Sequence, residues 1–183
     1  ALLFRAGHAW YSQEQHDKAI EYLKRSAASS DSVSHYASYY LGILYLKKGE
    51  KPYALNAFDY ARRSKDSKLS EEASFQHAKM AFDEGKFDLA IADMEKFLKA
   101  FPSSTHAVEV RELLAQGYVN GNNFNKAIEY IESLPRRNPA TDKAYQKATY
   151  LKGVELFNKE SYAESVTYFR KSLQYPLDKN YTV

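Results

Sequence analysis

The chain has 183 residues, 44% of them apolar and 27% charged, with 26 basic against 23 acidic side chains and a net charge of +3. Charge this nearly balanced gives no general attraction to nucleic acid or to an anionic membrane, and the absence of cysteine removes disulfides, thiol nucleophiles and thiolate metal sites. No apolar run approaches the roughly 20 residues that span a bilayer, no signal peptide is visible, and only 7 glycines and 5 prolines interrupt the chain, as suits an all-helical protein.

Helical periodicity and its punctuation predict helices in pairs. The first pair covers about 1–12 and 16–28. The second covers about 34–48 and 51–64, divided by Lys48-Gly49-Glu50, with Pro52 in the first turn of its second helix. The third is about 69–84 and 87–99, divided at Gly85. The fourth is about 105–120 and 124–134, divided by Asn120-Gly121-Asn122-Asn123, and the fifth is about 140–158 and 161–175. Between pairs stand Ser29-Ser30-Asp31-Ser32, Ser64-Lys65-Asp66-Ser67, Phe101-Pro102-Ser103-Ser104 and Arg136-Arg137-Asn138-Pro139, all turn and N-cap chemistry. In the last helix Tyr162, Val166, Phe169 and Leu173 share one face.

One spacing recurs in all five pairs. A small residue is followed twelve positions later by a second, and four after that by a large apolar one: Gly7/Ala19/Leu23, Gly42/Ala54/Phe58, Ala78/Ala90/Met94, Ala115/Ala127/Ile131 and Gly153/Ser165/Phe169. The interval from the second small residue to the next repeat grows from 23 to 26 along the chain. Two helices packed as a hairpin need a fixed close approach, whereas the connection onward tolerates extra residues. A period in the thirties is the mark of a helical repeat array.

Leu41-Gly42, Tyr45, Ala54 and Phe58 resemble the tetratricopeptide repeat, with Ser38 where the family has its early Trp. Pro102 and Pro139 stand where the family often has proline, and Trp10 takes a Tyr position. The fifth repeat departs most, with Ser165 for Ala and Leu177 for Pro. The resemblance implies a right-handed all-α solenoid of about five helix-turn-helix hairpins, a single array over 1–183 with repeats at about 1–31, 34–66, 69–102, 105–139 and 140–177. The Phe-Pro-Ser-Ser junction is also similar to repeat proteins of the bacterial envelope. The chain opens without Met inside a helical pattern, which suggests a piece of a longer protein. The compartment, cytoplasm or bacterial periplasm and envelope, stays open.

Nothing in the residues points to catalysis, a cofactor or a metal. The five histidines, His8, His16, His35, His77 and His106, lack zinc-site spacing. The carboxylate pairs Glu71-Glu72, Asp83-Glu84 and Glu109/Glu112 read as solvated charge, because splitting their pKa values needs a closed pocket. The basic clusters Lys47-Lys48, Arg62-Arg63 and Arg136-Arg137 lie at helix C-terminal ends, where they complement the macrodipole.

In the family the first helix of each hairpin lines a concave groove. The resemblance then implies a surface of Phe4, His8, Tyr11, Tyr36, Tyr39, Tyr40, Ile43, Phe75, Lys79, Phe82, Glu109, Glu112 and Gln116. Tyr36, Tyr39, Tyr40 and Phe75 either form an open aromatic patch or pack between hairpins. Glu72, Asp83, Glu109 and Glu112 would make the groove acidic, suited to a peptide or protein with basic and apolar residues. With only Arg5 and Lys79 basic there, acidic chaperone tails lack their carboxylate partners. The expected function is a non-catalytic interaction scaffold; the alternative is a regulatory segment of a larger enzyme or an envelope-assembly protein. The apolar stripe of the last helix lacks a following hairpin, so either a sixth hairpin begins near 179–183 or this end self-associates.

Overall fold

A computed structural model describes residues 1–29 and 31–182; Ser30 of the first connection and Val183 at the end of the sequence lie outside the described residues. Among the described residues there are ten α-helices and no strand: α1 (Leu2–Ser12), α2 (His16–Ala27), α3 (Ser34–Lys47), α4 (Lys51–Ala61), α5 (Ser67–Asp83), α6 (Phe87–Ala100), α7 (Ala107–Asn120), α8 (Phe124–Glu132), α9 (Pro139–Asn158) and α10 (Tyr162–Leu173), with a 3₁₀ turn at Lys179–Tyr181. The fold class is all-α, of the tetratricopeptide-repeat solenoid type. Two compact units divide the chain, the first of residues 1–85 with 99–104 and the second of 86–98 with 105 onward.

In the first unit α1 packs on α2 and α3 on α4; α3 lies against α2 and α1, and α5 against α4 and α3. Its core is built from Ala19, Leu23, Leu41, Leu44, Ala54 and Phe58. In the second unit α7 packs on α8, and α9 packs on α7, α8 and α10.

The recurring triplet has a direct physical meaning. In the first, second and fifth repeats the large residue lies across the first small one, and the second small residue is buried. A Cβ on Gly42 would come within 2.6 Å of the Phe58 ring, and one on Gly153 within 2.7 Å of the Phe169 ring. Ala19, Ala54, Ala90 and Ala127 have no exposed surface. Ser165 takes the same place in the fifth repeat, and its hydroxyl donates to the Gly153 carbonyl at 2.9 Å, so a polar residue serves where alanine stands elsewhere.

Each hairpin turn reverses through one residue with positive φ: Glu14, Gly49, Gly85, Asn122 and Glu160. At the second turn Glu50 N–H reaches the Tyr45 carbonyl at 2.8 Å and Lys48 N–H the Leu44 carbonyl at 3.0 Å. The first, fourth and fifth turns repeat the longer bond, from Gln15 to Trp10, Asn123 to Tyr118 and Ser161 to Leu156. This is the left-handed C-terminal cap that satisfies the last helix carbonyls.

Two connections carry side-chain caps. Asp66 accepts from the N–H groups of Lys68 and Leu69 at 2.9 and 3.1 Å. Asn138 and Thr141 form a reciprocal capping box, with Pro139 in the first turn. Several ends differ from the periodicity reading by one to three residues; α5 starts at Ser67 rather than 69 and α10 ends at Leu173 rather than 175. Helix α4 stops at Ala61, not 64, since the Ser70 hydroxyl takes the Arg62 carbonyl at 2.7 Å. Helix α8 stops at Glu132, where the Ser133 hydroxyl takes the Tyr130 carbonyl at 2.7 Å. Helix α7 starts at Ala107, later than 105, without a side-chain cap.

The last described residues depart from the helical repeat, with a 3₁₀ turn at Lys179–Tyr181. Residues 177–181 fold back on α9, and buried Gln146 holds them: its Oε1 accepts from Leu177 and Asp178 N–H at 3.0 and 2.7 Å, while its Nε2 donates to the Asp178 carbonyl at 2.9 Å. The stripe on α10 is corrected. Tyr162, Val166 and Leu173 are exposed, but Phe169 packs on Gly153 and on the Tyr150 ring.

Candidate functional site

Helices α1, α3 and α5 of the first unit carry ten of the thirteen expected surface residues, from Phe4 to Phe82. The apolar periodicity of α1 and α3 sets one aromatic side chain per turn on the faces that meet. Phe4, His8 and Tyr11 come from α1, and Tyr36, Tyr39, Tyr40 and Ile43 from α3; all seven are half-buried.

Tyr40 is the hub. Its ring meets His8 edge-on at 4.8 Å, Tyr11 at 5.0 Å, Tyr39 at 5.8 Å and Phe4 at 6.0 Å. Its hydroxyl hydrogen-bonds His8 Nε2 at 3.1 Å. Edge-to-face rings at these separations attract beyond their buried area. The hydroxyls of Tyr36 and Tyr39 are tied as well. Tyr36 donates to Asp66 at 2.6 Å, and Tyr39 to Glu72 at 3.4 Å, with Gln76 donating to the same carboxylate oxygen at 3.1 Å. Lys47 places its ammonium 5.5 Å from the Tyr11 ring centroid.

These contacts appear in the acidities. Burial, then the neighbouring Glu72 charge, pushes the Tyr39 hydroxyl well above the ordinary phenol value. Burial and then Tyr11 push up Tyr40. The hydrogen bond from Tyr36 holds the Asp66 carboxyl below the usual carboxylate range. The face therefore offers neutral, oriented phenols at ordinary pH, with carboxylates at its border.

Tyr36, Tyr39 and Tyr40 are half-buried, between an open patch and complete packing. Phe75 is the exception. It is 5% exposed, so it offers no open face, which corrects its place in the surface. Lys79 and Phe82 remain half-buried on α5.

The other three expected residues, Glu109, Glu112 and Gln116, sit on α7 in the second unit. Glu112 accepts a 2.6 Å hydrogen bond from Asn138 Nδ2, which ties α7 to the start of α9. Gln116 lines a cleft of about 360 Å3 with Lys143, Lys147 and Tyr181. Sequence reasoning missed Arg137. It does not complement a helix end; it is stacked between the Tyr145 and Tyr175 rings, 4.2 and 4.4 Å from their centroids. The signal was the spacing of aromatics around a connection rich in arginine, which periodicity within helices does not weigh. Among the described residues no cluster of three or more metal-ligating side chains is found, and no helix is long and apolar enough to cross a membrane.

Residues 67–175 match the family model of YfiO, described as an outer membrane lipoprotein. Residues 3–68 match a tetratricopeptide-repeat model. Among solved structures, MamA 41-end from Desulfovibrio magneticus RS-1 is 18% identical, with 94% of this chain and 92% of that one covered at a TM-score of 0.58. A crystal structure of MamA is 22% identical, with 95% and 96% covered at a TM-score of 0.55. These likenesses concern the fold. No curated protein matches the chain.

Proposed function

The chain belongs to the YfiO family and is built of tetratricopeptide repeats, and on that premise we propose that it is a non-catalytic scaffold that binds a peptide or protein segment on the aromatic face of α1, α3 and α5. The observation that carries the reading is the half-buried ring cluster centred on Tyr40, in which the tips of Tyr36, Tyr39 and Tyr40 are already hydrogen-bonded. Rings held in place lose little freedom on binding, and tyrosine gives a large contact with a polar tip. Asp66 and Glu72 border this face, which favours a partner with basic and apolar residues. Glu109, Glu112 and Gln116, which belong to the second unit, would serve the same function there. Work at the bacterial envelope is supported by the description of the matched YfiO model. That description favours an envelope protein over a regulatory segment of an enzyme.

The test is a peptide array. Extended peptides with alternating basic and apolar residues are probed with the wild-type chain, with Tyr11→Ala and with Tyr40→Ala, after circular dichroism has shown the variants folded. Binding should fall about tenfold or more in each variant, the usual effect of truncating an aromatic anchor. Undiminished binding by both variants would reject the aromatic face.

A further inference from the structure

Between the end of α8 and the first turn of α9, a cleft of about 460 Å3 opens against α7. Three arginines reach it: Arg111 from α7, and Arg136 and Arg137 from the connection. Like charges gathered in one cavity repel, so such a cluster calls for a counter-charge. The acids present do not supply all of it. Asp142 accepts from Arg137 Nε at 2.7 Å, and Glu112 is engaged by Asn138. Asp142 and, at longer range, Glu132 act on Arg137, and neither pairs with Arg111 or Arg136. Among the described residues Arg111 and Arg136 make no hydrogen bond or ion pair, and Arg137 Nη2 is buried with no acceptor.

Arg137 is also immobile. Tyr145 and Tyr175 cover both faces of its guanidinium, and Tyr145 is itself anchored by donating to Glu132 at 2.6 Å. A fixed cationic wall thus stands beside two unengaged guanidiniums. The remaining wall is apolar, from Leu134 and from Val108, which is 59% exposed.

We propose that this cleft binds the carboxylate of an aspartate or glutamate side chain in an extended peptide, with a neighbouring apolar residue against Val108 and Leu134. Guanidinium forks match carboxylates in a two-bond geometry. The apolar wall adds binding only for a ligand with an apolar part, which favours a peptide carboxylate over inorganic phosphate. The site is built from residues of the second unit and the aromatic face from residues of the first, so the two proposals fail independently.

The experiment is fluorescence polarisation of the full chain with a labelled hexapeptide, capped at both ends, carrying one Glu between two Leu. The same peptide with Gln in place of Glu is the control, and inorganic phosphate is the competitor. The Glu peptide should bind about tenfold more tightly than the Gln peptide. Arg111→Gln and Arg136→Gln should each remove most of that difference, while Tyr40→Ala leaves it. Arg136 is exposed, so its variant keeps the fold and carries the test if Arg111→Gln does not. Equal affinity for the two peptides, indifference to Arg136→Gln, or displacement by phosphate at peptide-like concentration would each overturn the proposal.

Discussion

Glu14, Gly49, Gly85, Asn122 and Glu160 hold the same place in successive repeats, seven residues past the first small one, with φ values of 58°, 74°, 70°, 58° and 62°. An L side chain in the left-handed region costs about 1–2 kcal/mol, of which glycine returns part through its freer unfolded chain, about 0.4–1 kcal/mol. Glu14→Gly and Glu160→Gly should therefore each raise stability by about 0.5–1 kcal/mol in urea unfolding; a loss in both would show that these turns carry no backbone strain. The converse holds at the helix crossing. At Gly42 an added Cβ meets the fully buried Phe58 ring, and overpacking of about 1–3 kcal/mol exceeds the roughly 1 kcal/mol gained in helix propensity. Gly42→Ala should be destabilising by about 1 kcal/mol, with Phe58→Leu partly restoring it in a double-mutant cycle. The small residues were legible because five copies share one interval. Glu14 and Glu160 were not, because glutamate carries no turn signature and only the turn's register reveals its φ.

At the scale of single elements, the C-terminal segment hangs on one side chain. Gln146 has no exposed surface and makes three hydrogen bonds to residues 177 and 178. Gln146→Leu should cost about 1–3 kcal/mol, the range for leaving buried partners unpaired, and should speed amide exchange in 177–182 while the α7–α8 amides keep their protection. No sequence pattern announced this anchor: a glutamine inside a helix is ordinary, and its partners lie some thirty residues away. A second element-level prediction concerns Glu132. Tyr145 first, then Lys171, hold its carboxyl below the ordinary value. A lowered folded pKa stabilises above the unfolded value of about 4.3 and is lost as pH falls through the folded one. Acid unfolding followed by circular dichroism should be less steep between about pH 5 and 3 in Glu132→Gln; an unchanged profile would remove this contact from the acid response. Helix extents were legible to within two or three residues, and two of the errors fall where serine hydroxyls capture carbonyls at the ends of α4 and α8.

Across the whole molecule, tyrosine is the recurrent packing unit, with 16 in 183 residues. Burial raises Tyr39, Tyr118 and Tyr145 above the ordinary range and pushes Tyr130 up to about 12. For these groups the folded pKa exceeds the unfolded one, so their contribution is complete below about pH 10 and fades as pH rises toward the folded values. Ultraviolet titration of phenolate should show a late cohort in the native chain that merges with the rest in denaturant; a single native transition near pH 10 would contradict the burial. The aromatic face was legible as residues on first helices, because the repeat register assigns each a position. Its division into half-buried rings and a fully buried Phe75 was not, since register does not say how far a neighbouring helix covers a side chain. The arginine cleft was illegible for a different reason: it joins a loop, a helix start and an α7 side chain that only the fold brings together.

The claim that the ring cluster around Tyr40 is a docking surface is tested most directly by two-dimensional NMR of the isotope-labelled chain during titration with the tightest basic-apolar peptide from the array. The account predicts saturable shift changes concentrated at Tyr11, Tyr36, Tyr40 and Ile43, and their disappearance in Tyr40→Ala. Shift changes that leave α1 and α3 untouched while the peptide binds elsewhere would contradict it.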